Sequence, residues 1–77
     1  METDKFYKEL ATILEVPVKD LHEEYVFPQE AWDSLTVMAT AASVDNIYDV
    51  VIPVKKLSKC ETLKQILDII REERSEA

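Results

Sequence analysis

The chain alternates between stretches where apolar residues recur every three or four positions and stretches where they do not. Near the amino terminus, Phe6, Leu10, Ile13 and Leu14 fall at i, i+4, i+7 and i+8, one face of a helix. Thr3 or Asp4 can cap that helix, and Pro17 disfavours helical geometry in the residue before it, so an end is predicted near Glu15-Val16. Lys5, Lys8 and Glu9 are expected on its outer face. Residues 17–33 follow, with two prolines and large apolar groups (Val18, Leu21, Tyr25, Val26, Phe27 and Trp32) that keep no period of 2 or 3.6. A connection this long is usually functional or pinned by its own side chains. Leu21 and Phe27 are therefore expected to plug into the core, with a short turn around residues 19–23.

A second helix is predicted from Ser34 to Tyr48, with Leu35, Met38, Ala41, Ala42 and Val44-Asp45 as its inward stripe. Thr36, Thr40, Ser43 and Asn46 are then outside. The small Ala39, Ala41 and Ala42 would let a neighbouring helix or a ligand chain come close. Tyr48 to Pro53 reads as an extended link, because its β-branched residues and Pro53 end the helix. Val54–Ser58 reads as one short helical turn. The last helix is predicted over residues 62–74, with Leu63, Ile66, Leu67 and Ile70 on one face and charges on the other. The charged tail, residues 72–77, is expected to fray.

Composition narrows the class. Glycine is absent and prolines number three, so tight Asn-Gly hairpins are unavailable and an all-α fold fits best. At 77 residues the chain is expected to be a single domain over 1–77, with about 60% of its unfolded surface buried and no room for a deep catalytic cleft. It contains no run of about 18 apolar residues and no basic-then-apolar leader, which predicts a cytoplasmic protein without a membrane segment. Cys60, the one cysteine, permits no internal disulfide and is too few for a metal cluster; a buried, inert thiol is expected. His22 is the one histidine and has no sequence-near partner, so an exposed loop side chain is expected.

The formal net charge is −7, which argues against nucleic acid as a partner. Its distribution says more. Between Asp20 and Val54 there is no Lys or Arg, while Asp20, Glu23, Glu24, Glu30, Asp33, Asp45 and Asp49 account for the whole net charge. That field would steer partners with basic patches to this region; a solvated acidic loop that keeps the protein soluble is the alternative.

The acidic stretch contains Trp32-Asp33-Ser34-Leu35. Asp33 is a good N-cap, and Trp32 and Val37 have the spacing of a hydrophobic staple. Ser34 is thereby placed at the first helical position with its hydroxyl toward solvent. A helix N-terminus offers free donors and partial positive charge, so a phosphate ester on that hydroxyl would be well placed. Ordinary capping is the alternative account of the same residues.

The order of long helix, long loop, Asp-Ser-Leu helix, short turn and final helix resembles the acyl carrier protein family. The resemblance runs from Phe6 to Ile70. Trp32-Asp33-Ser34-Leu35 is similar to the Asp-Ser-Leu signature of that family, in which the serine receives 4′-phosphopantetheine; small stand-alone carriers often have a tryptophan before the aspartate. Tyr48-Asp49-x-x-Ile52-Pro53 is similar to the Phe-Asp-x-x-Ile-Pro ending of the second helix, and Glu61-Thr62-Leu63, with Asp68 and Ile70, matches the start and body of the last.

The resemblance implies a small four-helix bundle of three main helices and one short one, with a long first loop. It implies that Ser34 carries a 4′-phosphopantetheine arm donated by coenzyme A, and that Asp33 caps the helix and is recognised by the phosphopantetheinyl transferase, through the transferase's metal ion. It implies a monomer that holds acyl or aminoacyl thioesters for loading and condensing enzymes with basic patches, and that performs no catalysis and binds no metal itself. Several residues depart from the family pattern. Ala31 replaces the usual glycine, Ala39 and Asn46 replace usual acids, and Lys55 and Lys56 make the short third helix basic. These departures point away from housekeeping fatty-acid synthesis and toward a specialised fatty-acid, polyketide or nonribosomal pathway. The alternatives are an unmodified carrier-like adaptor that binds a protein partner, and an enzyme with Ser34 as nucleophile. The latter needs a base and an oxyanion site that one histidine and no glycine poorly supply.

Overall fold

The structure, a computed structural model, describes residues 2–75. Four helices follow one another: α1 (Glu2–Leu14), α2 (Ser34–Tyr48), α3 (Val54–Ser58) and α4 (Leu63–Ser75), with a single 3-10 turn, Val18–Asp20, in the first connection. The all-α bundle expected from the sequence is what forms. Its one β-type pairing among the described residues is an isolated antiparallel bridge between Val26 and Thr62.

Without glycine, the chain ends its two long amino-terminal helices on acidic residues in the left-handed region: Glu15 at φ 59° and Asp49 at φ 58°. At α1 the Val16 amide donates to the Ala11 carbonyl (3.0 Å) and the Glu15 amide to the Thr12 carbonyl (3.3 Å), the paired bonds of a Schellman ending. The end of α1 is thus set by Glu15 turning left-handed, one step before the position that Pro17 restricts. At α2 one bond, from the Asp49 amide to the Asp45 carbonyl (3.0 Å), closes the helix.

The first connection is a strap. Leu21 and Phe27, each 5% exposed, plug into the core as expected. Its backbone then ties to the start of α4: the Leu63 amide donates to the Tyr25 carbonyl (3.0 Å), the Lys64 amide to the Glu23 carbonyl (2.9 Å), and the Phe27 amide to the Glu61 carbonyl (2.9 Å). Leu63 and Lys64 carry two of the amides that a helix start leaves without intrahelical partners, so the loop supplies part of the cap of α4. Thr62 and Gln65 supply the rest as a capping box: Gln65 Oε1 accepts from the Thr62 amide at 3.2 Å, and Thr62 Oγ1 accepts from the Gln65 amide at 3.4 Å.

The core joins Phe6, Leu10 and Leu14 of α1, Val37, Val44 and Tyr48 of α2, Leu57 of α3, and Leu63, Ile66 and Ile70 of α4. The inward stripe of α2 differs from the predicted one. Leu35 is 79% and Met38 56% exposed, and Ala39, Ala42 and Asp45 also face solvent; Val37, Thr40, Ser43, Val44 and Tyr48 are buried instead. The two polar members of that stripe are satisfied where they sit. Thr40 Oγ1 donates to the Thr36 carbonyl (2.8 Å), and Ser43 Oγ donates to Glu9 Oε1 (2.7 Å). Glu9 therefore faces α2 and is not an outer-face decoration. At the other end of α1, Glu2 pairs with Arg74 of α4 at 2.9 Å, and Arg74 lies over the Tyr48 ring. Residues 72–75 of the charged tail continue α4, while Glu76 and Ala77 fall outside the described residues.

Candidate functional site

The start of α2 is built by the strap. The Pro28 carbonyl accepts from the amides of Ala31 (3.0 Å) and Trp32 (2.9 Å), folding residues 28–32 into a turn that delivers Trp32 to the bundle. The Trp32 ring stacks on Phe27, with centroids 4.1 Å apart and planes 5° from parallel, and Tyr25 meets Phe27 edge-on. Trp32 is half-buried against the core and Val37 is 1% exposed, where a hydrophobic staple requires them. The Trp32 indole N–H is itself buried and has no hydrogen-bond partner among the described residues.

Asp33 follows in extended geometry, and its Oδ1 accepts from the Thr36 amide at 2.9 Å, the cap predicted from the sequence. That amide, with further hydrogen bonding from the Thr36 hydroxyl, holds the Asp33 carboxyl below its ordinary value. The Val37 amide is taken by the Asp33 carbonyl at 2.9 Å. Ser34 and Leu35 thus occupy the open end of a 15-residue helix, where the macrodipole places partial positive charge.

Of the three serines whose side chains are described, two are engaged: Ser43 bonds Glu9, and Ser58 Oγ donates to the Lys55 carbonyl at 2.9 Å. Ser34 is exposed, and its hydroxyl has no hydrogen-bond partner among the described residues. His22 lies in the strap, exposed, with Nδ1 3.7 Å from Glu24 Oε1; this near-sequence partner was not anticipated. Cys60 is buried as predicted, and burial pushes its thiol up, with the Lys56 charge opposing weakly. Among the described residues, no three His, Cys, Asp or Glu side chains gather as a metal-ion site.

A cavity of about 420 Å³ opens beside this helix start, between Phe27, Gln29 and Trp32 of the strap and Ser58, Lys59 and Glu61 of the α3–α4 junction. Sequence reading missed it, because its two walls come from segments far apart in the chain. No local pattern in the sequence marks Lys59, and Glu61 stands out only as part of a helix start.

The family model for a phosphopantetheine attachment site matches residues 4–70. The chain belongs to the acyl carrier protein family. No curated protein and no solved structure matches the chain significantly. Membership in the acyl carrier protein family brings with it a covalently bound 4′-phosphopantetheine, and an exposed serine with a free hydroxyl at an open helix end fits that group. Carriers of this family are served by modifying and loading enzymes, a phosphopantetheinyl transferase among them. No helix among the described residues is long and apolar enough to cross a membrane.

Proposed function

We propose that Ser34 is the attachment point and that the protein, a single carrier domain, presents thioester-bound intermediates to partner enzymes in a specialised fatty-acid, polyketide or nonribosomal pathway. One observation carries the assignment: Ser34 alone among the three described serine side chains has a free, exposed hydroxyl at the open N-terminus of a long helix. Modification joins Ser34 Oγ to the phosphorus of coenzyme A's pantetheine-bearing phosphate. The pyrophosphate P–O bond breaks, adenosine 3′,5′-bisphosphate leaves, and the hydroxyl proton passes to the transferase or solvent.

The group then supplies a terminal thiol on which an acyl or aminoacyl chain rides as a thioester. The chain's own residues hold and orient. Asp33 and the Trp32–Phe27 stack fix the helix start, and the outward amides of the first turn favour the phosphodiester. Leu35 and Met38, exposed next to Ser34, give the transferase and the loading enzymes an apolar contact. The acids between Asp20 and Asp49 steer partners with basic patches. A cytoplasmic monomer that is itself no catalyst suits this role.

The test is intact-protein mass spectrometry after incubation with coenzyme A, magnesium and a broad-specificity transferase. The expected result is a gain of one phosphopantetheine that is absent from Ser34→Ala, with the variant's Tm close to wild type. Folded protein that gains no mass with several transferases would replace this reading with that of an unmodified adaptor.

A further inference from the structure

The cavities described along the bundle differ in place and lining. One lies between Thr3, Tyr7, Tyr48 and Arg74, at the far end of α2. Tyr48 stands fourteen residues beyond Ser34, about 21 Å along the helix. A shallow groove between α1 and α2 passes Lys8 and Ser43. The cavity beside Trp32 is the one next to the Ser34 end, and its walls carry a carboxamide, a hydroxyl and both signs of charge, through Gln29, Ser58, Lys59 and Glu61. Trp32, whose buried indole N–H is unpartnered among the described residues, lines the same cavity.

Neither Lys59 nor the Glu61 carboxylate is paired with another charge among the described residues. Lining such a cavity with alkyl chain would strip water from both groups and return no hydrogen bonds. The bundle interior offers no easier berth, since Val37, Val44, Leu57, Leu63 and Ile66 are already packed at 0–1% exposure. A small group with an ammonium and a carbonyl meets the cavity's needs better: the ammonium suits Glu61, and the carbonyl suits the donors of Lys59 and Gln29, the Ser58 hydroxyl proton being already given to the Lys55 carbonyl. Glu30 and Asp33 adjoin the lining residues Gln29 and Trp32 in the chain, and of the two lysines of α3 Lys56 is paired with Glu73, so the local balance of charge favours a cationic over an anionic cargo.

Resting on the carrier reading of Ser34, we propose that this cavity receives a small aminoacyl cargo, held between the aromatic strap and the α3–α4 junction. Coenzyme A analogues in which an amide replaces the thioester allow loading of alanyl, malonyl and octanoyl arms onto the full chain. Mass spectrometry first verifies the added arm, and amide and indole NMR shifts are then compared with the protein carrying the bare arm. The alanyl arm is expected to shift Gln29, the Trp32 indole and Ser58 through Glu61. Glu61→Gln, an exposed and conservative change, abolishes those shifts. The malonyl and octanoyl arms leave the same signals at their bare-arm positions.

An alanyl arm that moves nothing in the cavity, a malonyl arm that moves it equally, or an octanoyl arm that moves the buried methyls of Val37, Leu57 and Ile66 overturns the assignment. Failure of any arm to attach at Ser34 is a different result: it removes the carrier reading itself, and this one with it.

Discussion

At the scale of single residues, position relative to a helix end decides more than residue type. Asp33 ties α2 through one carboxylate oxygen, and its pKa is lowered because the charged form accepts the Thr36 amide. A group whose folded pKa is depressed adds stability that is present above its ordinary value and is lost as pH falls through the folded value. An asparagine at this position would cap without titrating. The Tm difference between wild type and Asp33→Asn is therefore expected to shrink as pH falls through the carboxylate range, read by thermal melts monitored by circular dichroism. Two leucines make the complementary test. Leu35→Ala should change stability by no more than about 0.5 kcal/mol, because the side chain is 79% exposed. Leu57→Ala, fully buried, should cost about 2–5 kcal/mol in denaturant melts. The cap at Asp33 and the exposure of Ser34 were legible in the sequence because both depend on neighbours within four residues. The Ser43–Glu9 bond and the Lys59–Glu61 wall were not, since no local pattern records which distant segment comes to face them.

Among the elements, the main apolar stripes of α1 and α4 are legible in the sequence and that of α2 is not, while the start of α1 at Glu2, ahead of the expected caps Thr3 and Asp4, and the inward turn of Glu9 depart from the expectation. In α1 and α4 the large buried side chains are apolar and recur at helical spacing, so periodicity finds them. In α2 apolar residues surround the helix, and the inward face includes Thr40 and Ser43, whose hydroxyls are satisfied locally or by Glu9. Counting Leu35 and Met38 as core followed from hydrophobicity, whereas their exposure beside Ser34 follows from the direction the strap gives the helix. Helix endings show the same local logic in reverse. Glu15 holds a left-handed conformation that costs an L-residue with a Cβ about 1–2 kcal/mol and costs glycine almost nothing. Glu15→Gly is expected to raise stability by about 1 kcal/mol, less the entropy that glycine adds to the unfolded chain, as measured by urea unfolding.

For the molecule as a whole, the charge that the sequence concentrates between Asp20 and Asp49 lies on exposed side chains of the strap, α2 and its C-cap, while Lys59, just past α3, lines the cavity wall opposite the strap. Charge is thus unevenly spread along the chain, which a net charge of −7 by itself conceals. The radius of gyration, 11.3 Å, is close to the roughly 11.5 Å expected of a folded chain this long, so the strap lies against the bundle and adds little to its girth.

Because the strap's carbonyls at Glu23 and Tyr25 occupy the first amides of α4, the last helix begins on groups contributed by the first half of the chain. Its opening is then not its own affair: Leu63 and Lys64 can exchange their hydrogens with solvent only when the strap lifts. The two amides are expected to exchange with one common opening free energy, below that of the Val44 amide in the middle of α2. Native-state hydrogen exchange read residue by residue would reveal it, and exchange of Lys64 at the rate of a free helix end would refute it. The segment that leads to Ser34 and the helix farthest from it in sequence would then open and close as one cooperative unit.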